Sequence, residues 1–186
     1  SSDLQALSAK QTRDVLEFLL VHGVTHLNAT IREKMVAAGL SLVEAYDPTE
    51  VDALFELLEE KLTEARGDHR SHESDDHMRE GAVVLSGSLA KHLDPEDARM
   101  KNIISNLMEV LSTPSEAVQQ AASRRLSPLI SKCQGDAPYI TDLAMQLKKQ
   151  VAEGESYGHR RGAAYGIAGM VKGCGIGALK NLAIMD

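Results

Sequence analysis

The fold is decided by the segment HRRGAAYGIAGM at residues 159–170, because three other segments of the chain align with it. They are IREKMVAAGLSL at 31–42, MREGAVVLSGSL at 78–89 and VQQAASRRLSPL at 118–129. The second residues of the four segments lie 47, 40 and 41 residues apart, and they are Arg32, Arg79, Gln119 and Arg160. A two-helix unit that recurs about every 40 residues predicts a stack of helix pairs, in which neighbours bury each other's apolar faces.

Helical periodicity extends over almost the whole chain, and no stretch shows sustained alternation of apolar and polar residues. The clearest apolar stripes are Val15, Leu16, Leu19 and Leu20; Leu54, Leu57, Leu58 and Leu62; and Ile103, Ile104, Leu107, Met108 and Leu111. Asp47-Pro48, Asp94-Pro95, Thr113-Pro114 and Ala137-Pro138 place proline where a helix can begin, with Asp, Ser or Thr nearby as N-cap candidates. These signals predict helices at about 8–22, 28–46, 48–66, 75–93, 96–112, 115–133, 137–153 and 157–173, with a truncated one from 177.

We therefore expect an all-α fold, a HEAT-repeat α-α superhelix of about four helix pairs plus a truncated fifth. The predicted repeats span 4–46, 47–93, 94–133, 135–174 and, in part, 176–186. Aromatic residues are only 3% of the chain, so the core must consist of Leu, Ile, Val, Met and Ala. Gly81-Ala82, Ala121-Ala122 and Gly162-Ala163 share one repeat position, which predicts close approach of successive helices there.

The net charge of −7 is unevenly distributed along the chain. Residues 1–97 hold nine Lys/Arg against twenty Asp/Glu, a balance of −11, whereas residues 98–186 hold eleven against seven, a balance of +4. The first part should repel nucleic acid and the second could accept it. We expect a cytoplasmic protein, since no leader peptide or membrane span is visible and Cys133 and Cys174 indicate a reducing compartment.

A polar segment at 67–77 is the best candidate for a metal site. It contains six potential ligands, namely Asp68, His69, His72, Asp75, Asp76 and His77. Zinc needs three or four ligands that converge tetrahedrally, and no fixed scaffold for such a set is apparent. A solvated loop between helices explains the composition equally simply, and we expect no metal.

No other segment predicts catalysis or a cofactor. The glycine-rich run at 166–180 resembles a phosphate loop, but it lacks the Gly-Lys-Ser/Thr sequence and a preceding strand. The pattern instead favours a helix that packs closely through its glycines and ends in a glycine-rich C-cap. No Ser-His-Asp, Cys-His or paired-carboxylate arrangement is present, so we do not expect an enzyme. Four acidic residues of one helix, Glu56, Glu59, Glu60 and Glu64, indicate a solvated outer face.

A basic ridge is the remaining candidate site. The recurring Arg32, Arg79 and Arg160 suit structural pairing with a neighbouring repeat. The candidate residues for contact with a ribosome or RNA are Arg124, Arg125, Lys148, Lys149, Arg160, Arg161 and Lys172. Such a row could follow an RNA backbone without reading bases. Ion pairs between repeats, or charges that only solubilise exposed helices, are the alternative explanation.

Three motifs resemble one protein family. VVLSGSLAKHLD at 83–94, LSTPS at 111–115 with Val118-Gln119, and RRGAAYGIAGMVKG at 160–173 are similar, in order and spacing, to the general control nonderepressible one family of giant HEAT-repeat translational activators. The likeness covers nearly the whole chain. The sequence departs from the family pattern in the polar insert near His69 and at 95–110 and 130–155.

The resemblance implies a cytoplasmic, ribosome-associated scaffold that helps to activate the kinase of initiation factor two alpha when amino acids run short or ribosomes stall. It implies a middle fragment that ends where a region similar to elongation factor three begins. It further implies that an ABC-type ATPase and the kinase bind through other regions. The alternative is a HEAT-repeat adaptor of the transport or phosphatase type, which binds a protein and no nucleic acid.

Overall fold

The structure, a computed structural model, describes residues 9–45, 51–67, 73–175 and 177 of the chain. The described residues form eight α-helices and no β-strand, which confirms the predicted all-α class. The helices are α1 (Ala9–Phe18), α2 (Ala29–Glu44), α3 (Val51–Gly67), α4 (Glu73–Leu89), α5 (Ala98–Val110), α6 (Glu116–Lys132), α7 (Ala137–Glu153) and α8 (Tyr157–Cys174). Within the described ranges, every helix is too short or too polar to cross a lipid bilayer.

Five helix starts are set by side-chain caps: α7 and α8 begin at the predicted residues, whereas α2, α5 and α6 begin one or two residues later than predicted. Asn28, Asp97, Ser115, Asp136 and Ser156 each accept a hydrogen bond from a backbone N–H of the first turn. This satisfies donors that have no partner inside the helix.

Two of the predicted proline starts are wrong in detail. Pro95 and Pro114 precede the caps Asp97 and Ser115, so α5 and α6 begin after them, whereas Pro138 does occupy the first turn of α7. The Asp47-Pro48 start lies outside the described residues.

Two helix ends depart from regular α-geometry. α1 continues as a π-helical segment at Leu19–Gly23, where the N–H of Val24 bonds to the carbonyl of Leu19 at 2.8 Å. α4 continues as a 3-10 turn at Ala90–His92. The predicted helix from 177 lies outside the described residues apart from Gly177, which is in a turn.

The chain divides into two compact units, residues 1–89 and 90–186. In the first unit, α4 packs against α3 and α2, and α1 packs against α3. The core of this unit is mostly aliphatic, with Phe55 as an aromatic member and with Leu16, Leu54, Leu57, Leu58 and Leu85 almost fully buried. Gly81 lets α4 approach Val24, since an added Cβ would lie 3.3 Å from both methyl groups of that valine.

In the second unit, α8 packs against both α6 and α7, and α5 packs against α6. The core of this unit lacks aromatic rings among its fully buried members, which include Met100, Ile104, Leu107, Leu126 and Leu147. The predicted palette of Leu, Ile, Val, Met and Ala is therefore confirmed for this unit, whereas the first unit also buries Phe55.

Two side chains of the first unit are placed differently from the prediction. Val15 is 39% exposed although it was assigned to the apolar stripe, because the buried face of α1 runs through Leu16, Leu19 and Leu20 instead. Lys61 interrupts the acidic face of α3, but it is only 6% exposed. Its ammonium lies 3.2 Å from Glu17 and 3.0 Å from Glu64, so burial is compensated by two carboxylates.

Candidate functional site

α8 packs closely against α6 and against the end of α5. An added Cβ on Gly162 would collide with the carbonyl of Leu111, and one on Gly169 would lie 2.7 Å from the carbonyl of Ser123. The hydroxyl of Ser123 donates to the carbonyl of Tyr165 at 2.6 Å. The prediction of close packing at Gly162 is confirmed, and the glycine-rich run at 166–173 is a packing surface and not a phosphate loop.

The end of α8 also follows the sequence prediction. Gly175 has a φ of 84°, a left-handed conformation that favours glycine, and its N–H bonds to the carbonyl of Val171 at 2.8 Å. The helix therefore ends in the predicted glycine C-cap.

Gln119 connects α6 to the start of α8. It is fully buried, and its amide nitrogen lies 3.0 Å from the carbonyl of Leu111, 2.6 Å from that of Thr113 and 2.9 Å from that of Gly158. One side chain thus joins the connection between α5 and α6 to the first turn of α8. The alignment of the four segments placed Gln119 level with Arg32 and Arg160 but did not predict this buried contact.

The aligned second position has one structural role in three of the four segments. Arg32, Gln119 and Arg160 each lie four residues after an N-cap, and each donates to the carbonyl six residues earlier, with distances of 2.7, 2.6 and 2.7 Å. The accepting carbonyls belong to the loop that precedes the same helix. A structural role is confirmed for Arg32 and Arg160, but the predicted partner is wrong, because these contacts are made within one loop–helix junction and not to a neighbouring repeat.

Arg79 occupies a different position in its helix. α4 begins at Glu73, six residues before Arg79, whereas α2, α6 and α8 begin three residues before the aligned position. The polar insert thus adds almost one turn to α4, which the predicted start at 75 missed.

Arg161 belongs to a network between α6 and α8. Its guanidinium donates to Gln119 Oε1 at 2.9 Å, to Glu116 Oε2 at 3.2 Å and to the carbonyl of Pro114 at 3.0 Å. The Tyr165 hydroxyl donates to the other oxygen of Glu116 at 2.6 Å. The hydrogen bond from Tyr165, followed by the charge of Arg161, lowers the pKa of Glu116 below its usual value. The arrangement fixes the position of the two helices.

A small open cavity of about 320 Å³ lies beside this network. It is lined by Ser112, Pro114, Ser156, Tyr157, Gly158, His159 and Arg161. The ring of Tyr157 is 71% exposed, and the guanidinium of Arg161 lies 5.7 Å from its centroid. The lining contains no carboxylate or thiol.

Several other cations of the second unit are also held in local contacts. Arg99 pairs with its own cap Asp97 at 2.8 Å, which lowers the pKa of that carboxyl to about 2, first through the side-chain hydrogen bond and then through the backbone hydrogen bond. Lys101 pairs with Asp136 at 2.7 Å, and Lys132 donates to the carbonyl of Leu93 at 2.6 Å.

The predicted basic ridge is distributed over three helices. Arg124 and the half-buried Arg125 lie on α6, Lys148 and Lys149 lie on α7, and Arg160, Arg161 and Lys172 lie on α8. Arg124, Lys148, Lys149, Arg160 and Lys172 are exposed. Among these residues, Arg161 joins α8 to α6 through the hydrogen bonds of its guanidinium to Gln119 and Glu116. The exposed members are the ones that a partner can reach.

The candidate metal segment is described only in part. Asp68, His69 and His72 lie outside the described residues. His77 Nε2 lies 3.9 Å from Glu73 on the same helix, and burial followed by the charge of Arg32 lowers the pKa of this imidazole. Within the part of the chain that the structure describes, no group of three or more His, Cys, Asp or Glu residues could hold a metal ion.

Known proteins match this chain over almost its whole length. A family model described as "Stalled ribosome sensor GCN1, HEAT repeats" matches residues 4–91. Protein ILITYHIA of Arabidopsis thaliana is 37% identical over 184 residues, which is 99% of this chain and 7% of that protein. The chain belongs to the GCN1 family.

Two further relatives carry the family name. The stalled ribosome sensor GCN1 of Homo sapiens is 36% identical over 181 residues, which is 97% of this chain and 6% of that protein. The eIF-2-alpha kinase activator GCN1 of Saccharomyces cerevisiae is 32% identical over 176 residues, which is 92% of this chain and 6% of that protein. The chain thus spans only about one fifteenth of the length of these GCN1 relatives. No solved structure matches the chain.

Proposed function

We propose that this chain is a non-catalytic scaffold segment of a ribosome-associated GCN1-type regulator. The regulator promotes activation of the initiation factor two alpha kinase when amino acids run short or ribosomes stall. The observation that carries the proposal is alignment over at least nine-tenths of the chain with proteins named as a stalled ribosome sensor and as eIF-2-alpha kinase activators.

The charge distribution supports a ribosome contact through the second unit. Arg124 on α6 and Lys148 and Lys149 on α7 are exposed, and they lie in the half of the chain whose balance is positive. Exposed cations attract the phosphates of ribosomal RNA without base recognition. The acidic first half repels RNA phosphates.

The close α6–α8 contact supports a scaffold role. Buried hydrogen bonds from Gln119 and glycine contacts with backbone carbonyls leave these helices little freedom to shift. A stiff segment transmits position along a long protein. In this proposal the kinase and an ABC-type ATPase bind other regions of the cytoplasmic full-length protein.

A second candidate function is a protein-binding adaptor without nucleic-acid contact. The observation in its favour is a set of exposed apolar side chains, which include Phe18 at 61%, Leu27 at 97% and Met145 at 63% exposure. Such residues can bind an apolar helix or peptide of a protein partner.

Cosedimentation of the full-length protein with ribosomes across a salt series distinguishes the two functions. Phosphate contacts release counterions, so a ribosome contact through this unit makes the affinity fall steeply with salt. Charge reversal by Lys148→Glu with Lys149→Glu should then weaken binding at low salt and flatten the salt dependence. An affinity that neither salt nor this reversal alters would favour the adaptor.

A further inference from the structure

The cavity lined by Tyr157 and Arg161, here called the Tyr157 cavity, presents an exposed aromatic ring among cations. Tyr157 lies in the first turn of α8 and is 71% exposed, whereas Tyr139 and Tyr165 are half-buried. Arg160 and Arg161 follow Tyr157 by three and four residues, so both are its neighbours on the helix surface. The ring adds little to the core of the unit and is accessible to a ligand.

The shape of the Tyr157 cavity suits one flat group. Its volume of about 320 Å³ is at the lower end of the range for ligand sites, and it is open to solvent. Hydrogen bonds to Gln119 and Glu116 hold the guanidinium of Arg161 at 5.7 Å from the centroid of the Tyr157 ring. Of the described residues that line the cavity, Pro114 alone has an aliphatic side chain. The lining therefore offers an aromatic face and polar groups, and it does not resemble an apolar groove for a helix.

The charges around the ring favour an anionic ligand. The described lining residues include no carboxylate. Glu116, which lies outside the lining, pairs with Arg161 at 3.2 Å, so Arg161 acts mainly as a flat support beside the ring. Arg160 is exposed, and its bond to the carbonyl of Gly154 leaves further N–H donors that can bind a phosphate next to the ring. A flat aromatic group joined to a phosphate is a nucleotide.

We propose that the Tyr157 cavity binds one unpaired nucleotide of an RNA strand, with the base stacked on Tyr157 and an adjacent phosphate bound by Arg160. Stacking of this kind tolerates any base, because every base has an aromatic face. The inference deepens the proposed ribosome contact, on which it rests for the source of the RNA. It differs from the contact made by Lys148 and Lys149, because cations on their own also bind paired RNA.

Photocrosslinking to the full-length protein tests the proposal. The probe is a short oligouridine that carries 5-iodouridine, and the crosslinked peptides are identified by mass spectrometry in the absence of ribosomes. We expect a crosslink at Tyr157 that unlabelled oligouridine suppresses. An RNA duplex of equal charge should not suppress it, because paired bases are not free to stack on a side chain.

Two variants leave the ring in place and alter the site around it. Gly158 lines the cavity, and an added Cβ there would contact Ser156 Oγ at 3.7 Å, so Gly158→Leu places a side chain in the cavity. It should lower the crosslink yield at Tyr157 about fivefold or more, as expected for the loss of one stacked base. The control Gly135→Leu, where an added Cβ would have no atom within 4 Å, should leave the yield unchanged. Arg160→Gln removes the charge, retains a side-chain donor and should lower the yield at low salt.

Four results would overturn the proposal. The first is the lack of a crosslink at Tyr157, or an equal yield in Gly158→Leu, Arg160→Gln and Gly135→Leu. Equal suppression by the duplex would leave only an effect of charge. Equal suppression by uridine monophosphate at the same nucleotide concentration would assign the cavity to free nucleotides. Protection of Tyr157 from nitration by ribosomes, without an oligouridine crosslink, would assign the ring to a ribosomal protein.

Ribosome cosedimentation separates this inference from the proposed ribosome contact. If Lys148→Glu with Lys149→Glu weakens ribosome binding and Tyr157 does not crosslink, the ribosome contact stands and the nucleotide site is wrong. If Tyr157 crosslinks as expected and the charge reversal has no effect, the nucleotide site stands and the ribosome contact through α7 is wrong.

Discussion

Substitution of Gly162 by alanine should destabilise the second unit through a clash with backbone. The added Cβ would collide with the carbonyl oxygen of Leu111 and lie 2.8 Å from Gln119 Nε2. Neither can move freely, because that nitrogen also bonds to the Leu111 carbonyl. Overpacking of this kind costs about 1–3 kcal/mol, and weakening one buried hydrogen bond costs about 1 kcal/mol more.

Higher helix propensity offsets part of the cost of Gly162→Ala. Alanine is favoured over glycine by about 1 kcal/mol inside a helix, so the net loss should be about 2 kcal/mol. For a chain of this size, that corresponds to a fall in Tm of about 4–8 °C by circular dichroism or calorimetry.

Two glycines of the same helix provide graded controls. An added Cβ on Gly166 would meet only the methyl ends of Leu147 and Leu111, at 2.6 and 2.7 Å, which can shift, so Gly166→Ala should cost less than Gly162→Ala. An added Cβ on Gly158 would lie 3.7 Å from Ser156 Oγ, so Gly158→Ala should stay within about 0.5 kcal/mol of the parent. Equal stability of all three variants would refute the argument that a backbone contact at Gly162 positions α8.

Three further predictions concern polar groups. The pKa of Asp97 is lowered to about 2 in the folded protein. Its carboxylate therefore stabilises the fold fully above the pKa of the unfolded chain, near 4, and this contribution is lost as the pH falls toward 2. Asp97→Asn keeps a capping side chain and should make the free energy of unfolding less dependent on pH between about 4 and 2. Burial alone would lower the pKa of Lys61, but Glu64 and Glu17 outweigh that effect and the pKa is raised. Lys61→Ala should therefore lower the free energy of unfolding by an amount on the order of 1–3 kcal/mol, measured with denaturant. The control Lys10→Ala, at an exposed lysine, should give no measurable change. Arg160→Gln should retain the parent Tm better than Arg160→Ala, since glutamine makes the equivalent contact at position 119.

The sequence predicted the features that depend on repetition. Alignment of four segments identified both the glycine contact at Gly162 and the shared position of Arg32 and Arg160, because a packing requirement recurs with the repeat. Apolar periodicity placed the helices to within two or three residues in the described ranges, when the π-helical end of α1 and the 3-10 end of α4 are counted with their helices.

Features that depend on another helix were missed. The spacing of Lys61 on α3 indicates an outer face, but its burial is decided by Glu17 of α1. Arg161 looks like any surface cation until Glu116 and Gln119 of α6 are placed beside it. A single sequence gives the side of a helix on which a charge lies, and it does not give the partner from a distant segment.

We propose that exposed cations of the second unit bring this GCN1-type segment to the ribosome. The most direct measurement is ribosome cosedimentation of full-length protein at low and high salt, with Lys148→Glu/Lys149→Glu against the control Lys10→Glu/Lys34→Glu. Both variants change the net charge equally, and all four lysines are exposed. We expect the first variant to lose binding at low salt while the control retains it. Undiminished binding of the first variant with an intact fold, or equal loss in both, would contradict the claim.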